Sequence, residues 1–266
     1  MMNRQKFGVL RAVRRVWAVG AIHADVERLQ RLHARLWPRL ELCDRVIYLG
    51  NMIGRAPAAC ETLDTLLNFR LHMLARPHSE AEDVVYLRGS QEEMWQKLLQ
   101  LQFATDPRAV LEWMLDQGIG PTLESYGVRI QDARHEAAAG TVALTRWTGQ
   151  VRQAIHDRHG HQQIMASLRR AAFTEEGTLL FVNTGLDPSR PIEAQSDSFW
   201  WSSGAFERID APYGGFRRIV RGYDPNHGGF QDTGPTATID GGCGFDGPLM
   251  AACLTQDGKI VDTVEG

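Results

Sequence analysis

Three times in the first hundred residues, a short apolar run gives way to a loop and then to a stretch with helical periodicity. Residues 16–20, 46–49 and 84–87 read as buried strands. After the first run, Val26, Leu29, Leu32 and Leu36 recur at three- and four-residue spacing. After the second, Leu63, Leu67, Leu71 and Leu74 share one helix face until Pro77 ends it, and a third helix is expected over residues 92–102. Strands separated by helices need crossover connections, so the pattern predicts an α/β domain with a largely parallel sheet.

Within a segment of about 104–175, residues from about 107 to 172 hold no convincing strand. Helical stretches are expected near 110–115, 141–155 and 162–170, broken by Gly118, Gly120, Pro121 and Gly140, and the segment reads as a helical insertion or cap. His156, His159 and His161 fall inside it, but Gly160 interrupts their helix, which favours a solvated polar patch over a metal site. Strands return at 179–182, 218–220, 236–240, 249–254 and 260–264, with Asp257-Gly258 as a hairpin turn. The expected organisation is a basic segment, 1–15, carrying Arg4, Lys6, Arg11, Arg14 and Arg15, followed by one domain over 16–266. At 266 residues the chain can bury one large core.

A net charge of −3 gives no general attraction to nucleic acid. No run of about 18 apolar residues is present, so no transmembrane helix is expected. Cys43, Cys60, Cys243 and Cys253 are widely separated and form no C-x-x-C pair, which suits reduced thiols in a cytoplasm.

Ligands of α/β sheets bind beyond the carboxyl ends of the strands. The loops there read Gly20-Ala21-Ile22-His23-Ala24, Gly50-Asn51-Met52-Ile53-Gly54-Arg55, Arg88-Gly89-Ser90-Gln91-Glu92, Val182-Asn183-Thr184-Gly185 and Val220-Arg221-Gly222-Tyr223-Asp224-Pro225. Their order, spacing and flanks resemble the serine/threonine-phosphatase branch of the calcineurin-like metallophosphoesterases, bacterial members included, with G-D-x-H-G, G-D-x-x-D-R-G, G-N-H-E, a later H-A-G and G-H-T-P. The flanking residues Ile47-Tyr48-Leu49, Pro57 and Tyr86-Leu87 match as well. So do Thr122-Leu123-Glu124-Ser125-Tyr126-Gly127-Val128 and Thr238-Ile239-Asp240-Gly241-Gly242. The resemblance spans about residues 16–261. It implies a central β-sandwich flanked by helices (αββα), with a helical cap.

The resemblance also implies a two-metal centre, and here the sequence departs from it. The first-motif Asp is Ala21, although His23 is kept. The metal-bridging Asp is Asn51, the second Asp of that motif is Gly54, and Arg55 is kept. The Asn and His of the third motif are Ser90 and Gln91, with Glu92 kept. The later His is Asn183, the last-motif His is Tyr223, and the residue before Gly222 is Arg221. His23 alone remains of the implied ligands. Two divalent cations about 3.5 Å apart repel by roughly 19 kcal/mol at an effective dielectric of 20. Carboxylates offset that repulsion, and neither Ala21 nor Asn51 supplies charge. The missing third-motif His removes the proton donor to a leaving group. The expectation is a pseudophosphatase with no catalytic residues and no metal, working through a protein partner.

Arg55 stands at the phosphate-clamping position, and with Arg221 and His23 it suggests a cradle for phosphate or a phosphopeptide. A structural alternative pairs both arginines with nearby carboxylates. Two further readings compete with the pseudophosphatase. One is an active phosphoesterase with a rebuilt site from His23, Asp25, Asp224, His227 and Asp240. However, N-capping explains Asp25 better, and Asp224 and His227 lie in a turn. The other is a structural subunit of a larger complex. Phe199 and Trp200-Trp201 are expected to pack inside, and an exposed pair would mark a binding surface.

Overall fold

The computed structural model describes residues 6–201 and 204–266. In chain order the strands are β1 (Phe7–Leu10), β2 (Arg15–Val19), β3 (Asp44–Tyr48), β4 (Val84–Tyr86), β5 (Ala171–Thr174), β6 (Leu179–Val182), β7 (Arg218–Arg221), β8 (Gln231–Asp232), β9 (Thr236–Thr238), β10 (Met250–Thr255) and β11 (Ile260–Glu265). They form two mixed sheets. One has five strands in the order β11-β10-β2-β3-β4, and the other has six in the order β1-β5-β6-β7-β9-β8. The pairs β2–β3, β3–β4, β6–β7 and β7–β9 are parallel, whereas β10 pairs antiparallel with both β2 and β11.

The sheets pack face to face. On β2, Val16 and Ala18 point into the layer between them, with Ile47, Leu49, Phe181, Val220, Ala237 and Leu254. Trp17 and Val19 point the other way, into the helices. This period-2 alternation is what a strand buried on both faces requires. The helices on that outer side are α1 (Val26–Leu36), α2 (Ala59–Leu74), α3 (Ser90–Leu98), α4 (Pro107–Asp116), α5 (Gly120–Ser125), α6 (Ile130–Ala139), α7 (Thr141–His156) and α8 (His161–Ser167). Helix α1 begins where Asp25 accepts the Arg28 N–H at 3.0 Å.

Three features differ from the sequence reading. The basic segment contains a strand: Phe7, Leu10 and Val13 are buried, and β1 pairs in parallel with β5. Phe7, Val9 and Leu10 suffice because the partner strand supplies the other half of the ladder. The start of that segment, with Arg4, lies outside the described residues. The expected helical segment holds α4 to α8, including α5 and α6, whose weak apolar pattern hid them, and near its end Ala171–Thr174 form β5. Among the described residues, the α-helices flank the five-stranded sheet, and the outer face of the six-stranded sheet is covered by residues 183–201 and 204–217, with short 3-10 turns at Ile192–Ala194, Asp197–Phe199 and Phe206–Arg208, through Leu186, Ile192, Phe199, Trp200, Phe206 and Phe216. Asp257-Gly258 does turn β10 into β11. The four cysteines are free thiols, and no helix among the described residues is long and apolar enough to cross a membrane.

His33 ties α1 to the sheet. Its Nε2 lies 2.7 Å from the Tyr48 hydroxyl, and its ring stacks on Phe69 at 4.0 Å. Burial pushes its pKa from 6.5 down to about 3. The unfolded chain therefore binds a proton here below about pH 6.5 that the folded chain refuses. Stability should be complete above that value and fall as the pH drops toward 3, by up to about 1.4 kcal/mol per pH unit from this group. Urea denaturation across that window should show the fall, and His33→Gln should flatten the slope by one proton.

Candidate functional site

The five loops converge beyond the carboxyl ends of β2, β3, β4, β6 and β7, and backbone bonds knit them together. Ala21 N–H donates to the Gly222 carbonyl at 2.9 Å, and the Ile22 and His23 N–H groups donate to the Asn51 carbonyl at 3.0 and 2.8 Å. The Gly222 and Tyr223 N–H groups donate to the Asn183 carbonyl at 2.9 and 3.0 Å. Glu92 holds the centre. Its buried carboxylate accepts N–H bonds from Asn51 (2.9 Å), Met52 (2.7 Å), Ile53 (3.2 Å) and Gly89 (2.8 Å). Burial raises its pKa, and the four N–H groups oppose that rise.

Around this frame, the residues at the implied ligand positions hold one another. Asn51 Oδ1 accepts from Ser90 Oγ and from the Gln91 N–H, both at 3.2 Å. Asn183 Nδ2 donates to the Leu49 carbonyl at 2.7 Å, and its Oδ1 accepts from Thr184 Oγ1 at 3.0 Å. Gln91 Nε2 donates to the Gln117 carbonyl at 2.8 Å. Gly54 has φ +94°, and a Cβ placed on it would lie 2.2 Å from Gln91 Oε1, so the glutamine fills the room a side chain at 54 would take. Ala21 is buried and adds no polar atom. The cap reaches this region through Thr122, whose Oγ1 accepts the Gly54 N–H at 3.0 Å.

His23 is buried, and neither ring nitrogen has a hydrogen-bond partner. Burial, and then the nearby Arg55 and His227, push its pKa to about 3, so the imidazole is neutral. Its edge contacts the rings of Tyr223 (5.4 Å) and Phe245 (5.5 Å). Arg55 lies beside it, with its guanidinium 3.9 Å from the centre of the Phe245 ring.

Arg221 is placed elsewhere. On β7, Val220 faces the intersheet layer while Ile219 faces outward, and Arg221 shares the outward side. Its guanidinium bonds Thr238 Oγ1 (2.9 Å), Glu207 (3.0 Å) and Asp224 (3.2 Å) and lies over Phe206. The carboxylate-pairing alternative therefore describes Arg221, and Arg55 is left with His23. The proposed rebuilt metal set does not assemble either. Asp25 caps α1, Asp224 accepts from the Asn226 and Gly228 N–H groups, and Asp240 accepts from those of Asp224 and Gly242, with His227 3.9 Å away. The aromatic run splits: Phe199 and Trp200 are buried, while Trp201 is 39% exposed and contacts Trp113 at 5.6 Å. Phe245 went unread in the sequence, although four glycines within residues 241–247 around a single aromatic were a usable signal.

No protein-family model and no curated protein matches the chain. Solved structures do. A protein provisionally assigned as a diadenosine tetraphosphatase superposes with TM-score 0.58 at 16% identity, over 98% of both chains. A serine/threonine phosphatase from Saccharomyces cerevisiae, similar to human phosphatase PP5, gives 0.51 at 16% identity, over 99% of this chain and 84% of that one. A cold-active protein tyrosine phosphatase gives 0.52 at 11% identity, over 97% and 81%. The chain has the calcineurin-like metallophosphoesterase fold. That fold implies a pair of metal ions, and the donors here do not suit one. The positions offer one imidazole and two carboxamides, no carboxylate, and the carboxamide oxygens are already taken by hydroxyl or amide donors. Among the described residues, no group of three His, Cys, Asp or Glu side chains is arranged to hold a metal ion.

Two substitutions test this account. Glu92→Gln turns an amide N–H₂ toward backbone donors and should cost at least about 2 kcal/mol in urea denaturation. Gly54→Asp should cost roughly 1–3 kcal/mol, and adding Gln91→Ala should restore part of the loss by vacating the space.

Proposed function

We propose that this chain is a pseudophosphatase: it uses the metallophosphoesterase fold without its hydrolytic chemistry and acts by binding a protein partner. One observation carries the reading. At two of the implied metal positions the side-chain oxygens are already engaged, Asn51 Oδ1 by Ser90 and the Gln91 N–H and Asn183 Oδ1 by Thr184, and the Asn183 amide donates to the Leu49 carbonyl. With no carboxylate there to offset paired cations, neither a metal-activated water nor metal polarisation of a phosphoryl oxygen is supported. Gln91, at the position of the proton-donating His, carries an amide that does not ionise.

The partner-binding half draws support from an apolar patch where the cap meets loop 183–217. Phe103 is 80% exposed there, and Trp113 and Trp201 stand beside it. They line a cleft of about 450 Å³ together with Val110, Met114 and Lys97. Exposed aromatic clusters of this kind serve as anchors in protein interfaces.

Protein purified without chelator should carry well under one equivalent of zinc, manganese or iron by mass spectrometry and should release no phenol from an aryl phosphate. Its melting temperature should not move on adding a chelator. Stoichiometric metal with metal-dependent turnover would overturn the proposal.

A further inference from the structure

Buried polar atoms without partners are rare in folded proteins. Here five of them belong to four side chains in adjacent loops: both ring nitrogens of His23, Asn51 Nδ2, Arg55 Nε and Gln91 Oε1. Asn51 is fully buried and His23 nearly so. Such clustering points to an absent partner. Three of the five are donors, and the set carries the charge of Arg55, which forms no ion pair among the described residues. Carboxylates of the neighbouring loops are occupied, Glu92 by four N–H groups and Asp240 by two. A neutral imidazole adds one donor and one acceptor.

The same cluster has a cover. Phe245 lies 3.9 Å above the Arg55 guanidinium and 3.9 Å from the His227 ring, and it closes over His23. It rides on a loop with glycines at 241, 242, 244 and 247, which folds on itself through the Phe245 and Gly247 N–H groups to the Gly242 carbonyl. Gly244 sits against the histidine: a Cβ there would lie 2.5 Å from His23 Cβ. Side-chain tethers from the loop to the first motif and α1 are the Cys243 thiol to the Ile22 carbonyl and Arg28 to the Asp246 carbonyl.

We propose that Phe245 is a displaceable plug over an oxyanion pocket formed by Arg55, Asn51 and His23, and that phosphate, free or as a monoester, takes the place of its ring. The proposal rests on the non-hydrolytic reading above and adds a gate to it. A ring over a guanidinium is a weaker partner than a bidentate, charge-assisted hydrogen-bond pair from an oxyanion. The acceptor nitrogen of His23 suits the hydroxyl of monohydrogen phosphate, which sulfate lacks.

Isothermal titration of inorganic phosphate, sulfate and phenyl phosphate into the native chain and into Phe245→Ala tests it. Phe245→Ala should bind phosphate at least about tenfold more tightly than native, because the closed population no longer taxes affinity. Sulfate should bind more weakly than phosphate, and adding Arg55→Gln should abolish the gain. Equal binding of phenyl phosphate and phosphate assigns the monoester, and binding of phosphate alone assigns the free ion. Unchanged affinity in Phe245→Ala, or a gain that survives Arg55→Gln, overturns the plug. If Phe245→Ala does not fold, Phe245→Leu, which keeps apolar bulk but not the ring face, decides by the same comparison. Phenol release would defeat the non-hydrolytic reading, whereas absent binding without release defeats the plug alone.

Discussion

Four backbone N–H groups from two loops end on one buried carboxylate, that of Glu92. Each of those donors is out of reach of water, and each needs an acceptor lone pair. A carboxylate provides enough of them on two oxygens, whereas a carboxamide would give up one oxygen to a donor group. The loop after β3 therefore takes its path from the helix after β4. Through the Asn51 carbonyl, the loop after β2 takes its path from both. Hydrogen bonds within the chain hold this frame.

The same bonds fix the paths of the loops that carry the implied ligand positions. The side chains at those positions form a connected set. Ser90 donates to Asn51, Asn183 spans the Leu49 carbonyl and the Thr184 hydroxyl, and Gln91 occupies the space that Gly54 leaves open. Unsatisfied polar atoms remain on His23 and Arg55, and the Phe245 ring packs against both side chains.

The two sheets separate support from contact. The five-stranded sheet, backed by helices, carries the first three loops. The six-stranded sheet carries the other two and is backed by loop 183–217, whose Trp201 meets Trp113 of the cap. An exposed aromatic patch thus sits beside the loop cluster, built from segments that would not meet without the sandwich between them.

Much of this was legible in the residue string. Alternating strand and helix periods fixed the element order, since short apolar runs and three- and four-residue spacing are local properties of the backbone. Loop wording showed which side chains stand at the implied ligand positions, and Asp25 announced the start of α1. The strand at Phe7–Leu10 was not legible, because three scattered apolar residues mean nothing until β5 lies beside them. The direction of Arg221 was hidden too: alternation along β7 separates it from Val220, but only the packed second sheet decides which side faces the pocket. The placement of Phe245 over Arg55 joins residues far apart in the chain. Sequence therefore determined which groups this protein can offer, and tertiary packing decided which of them meet, because contacts between distant segments leave no period in the chain to read.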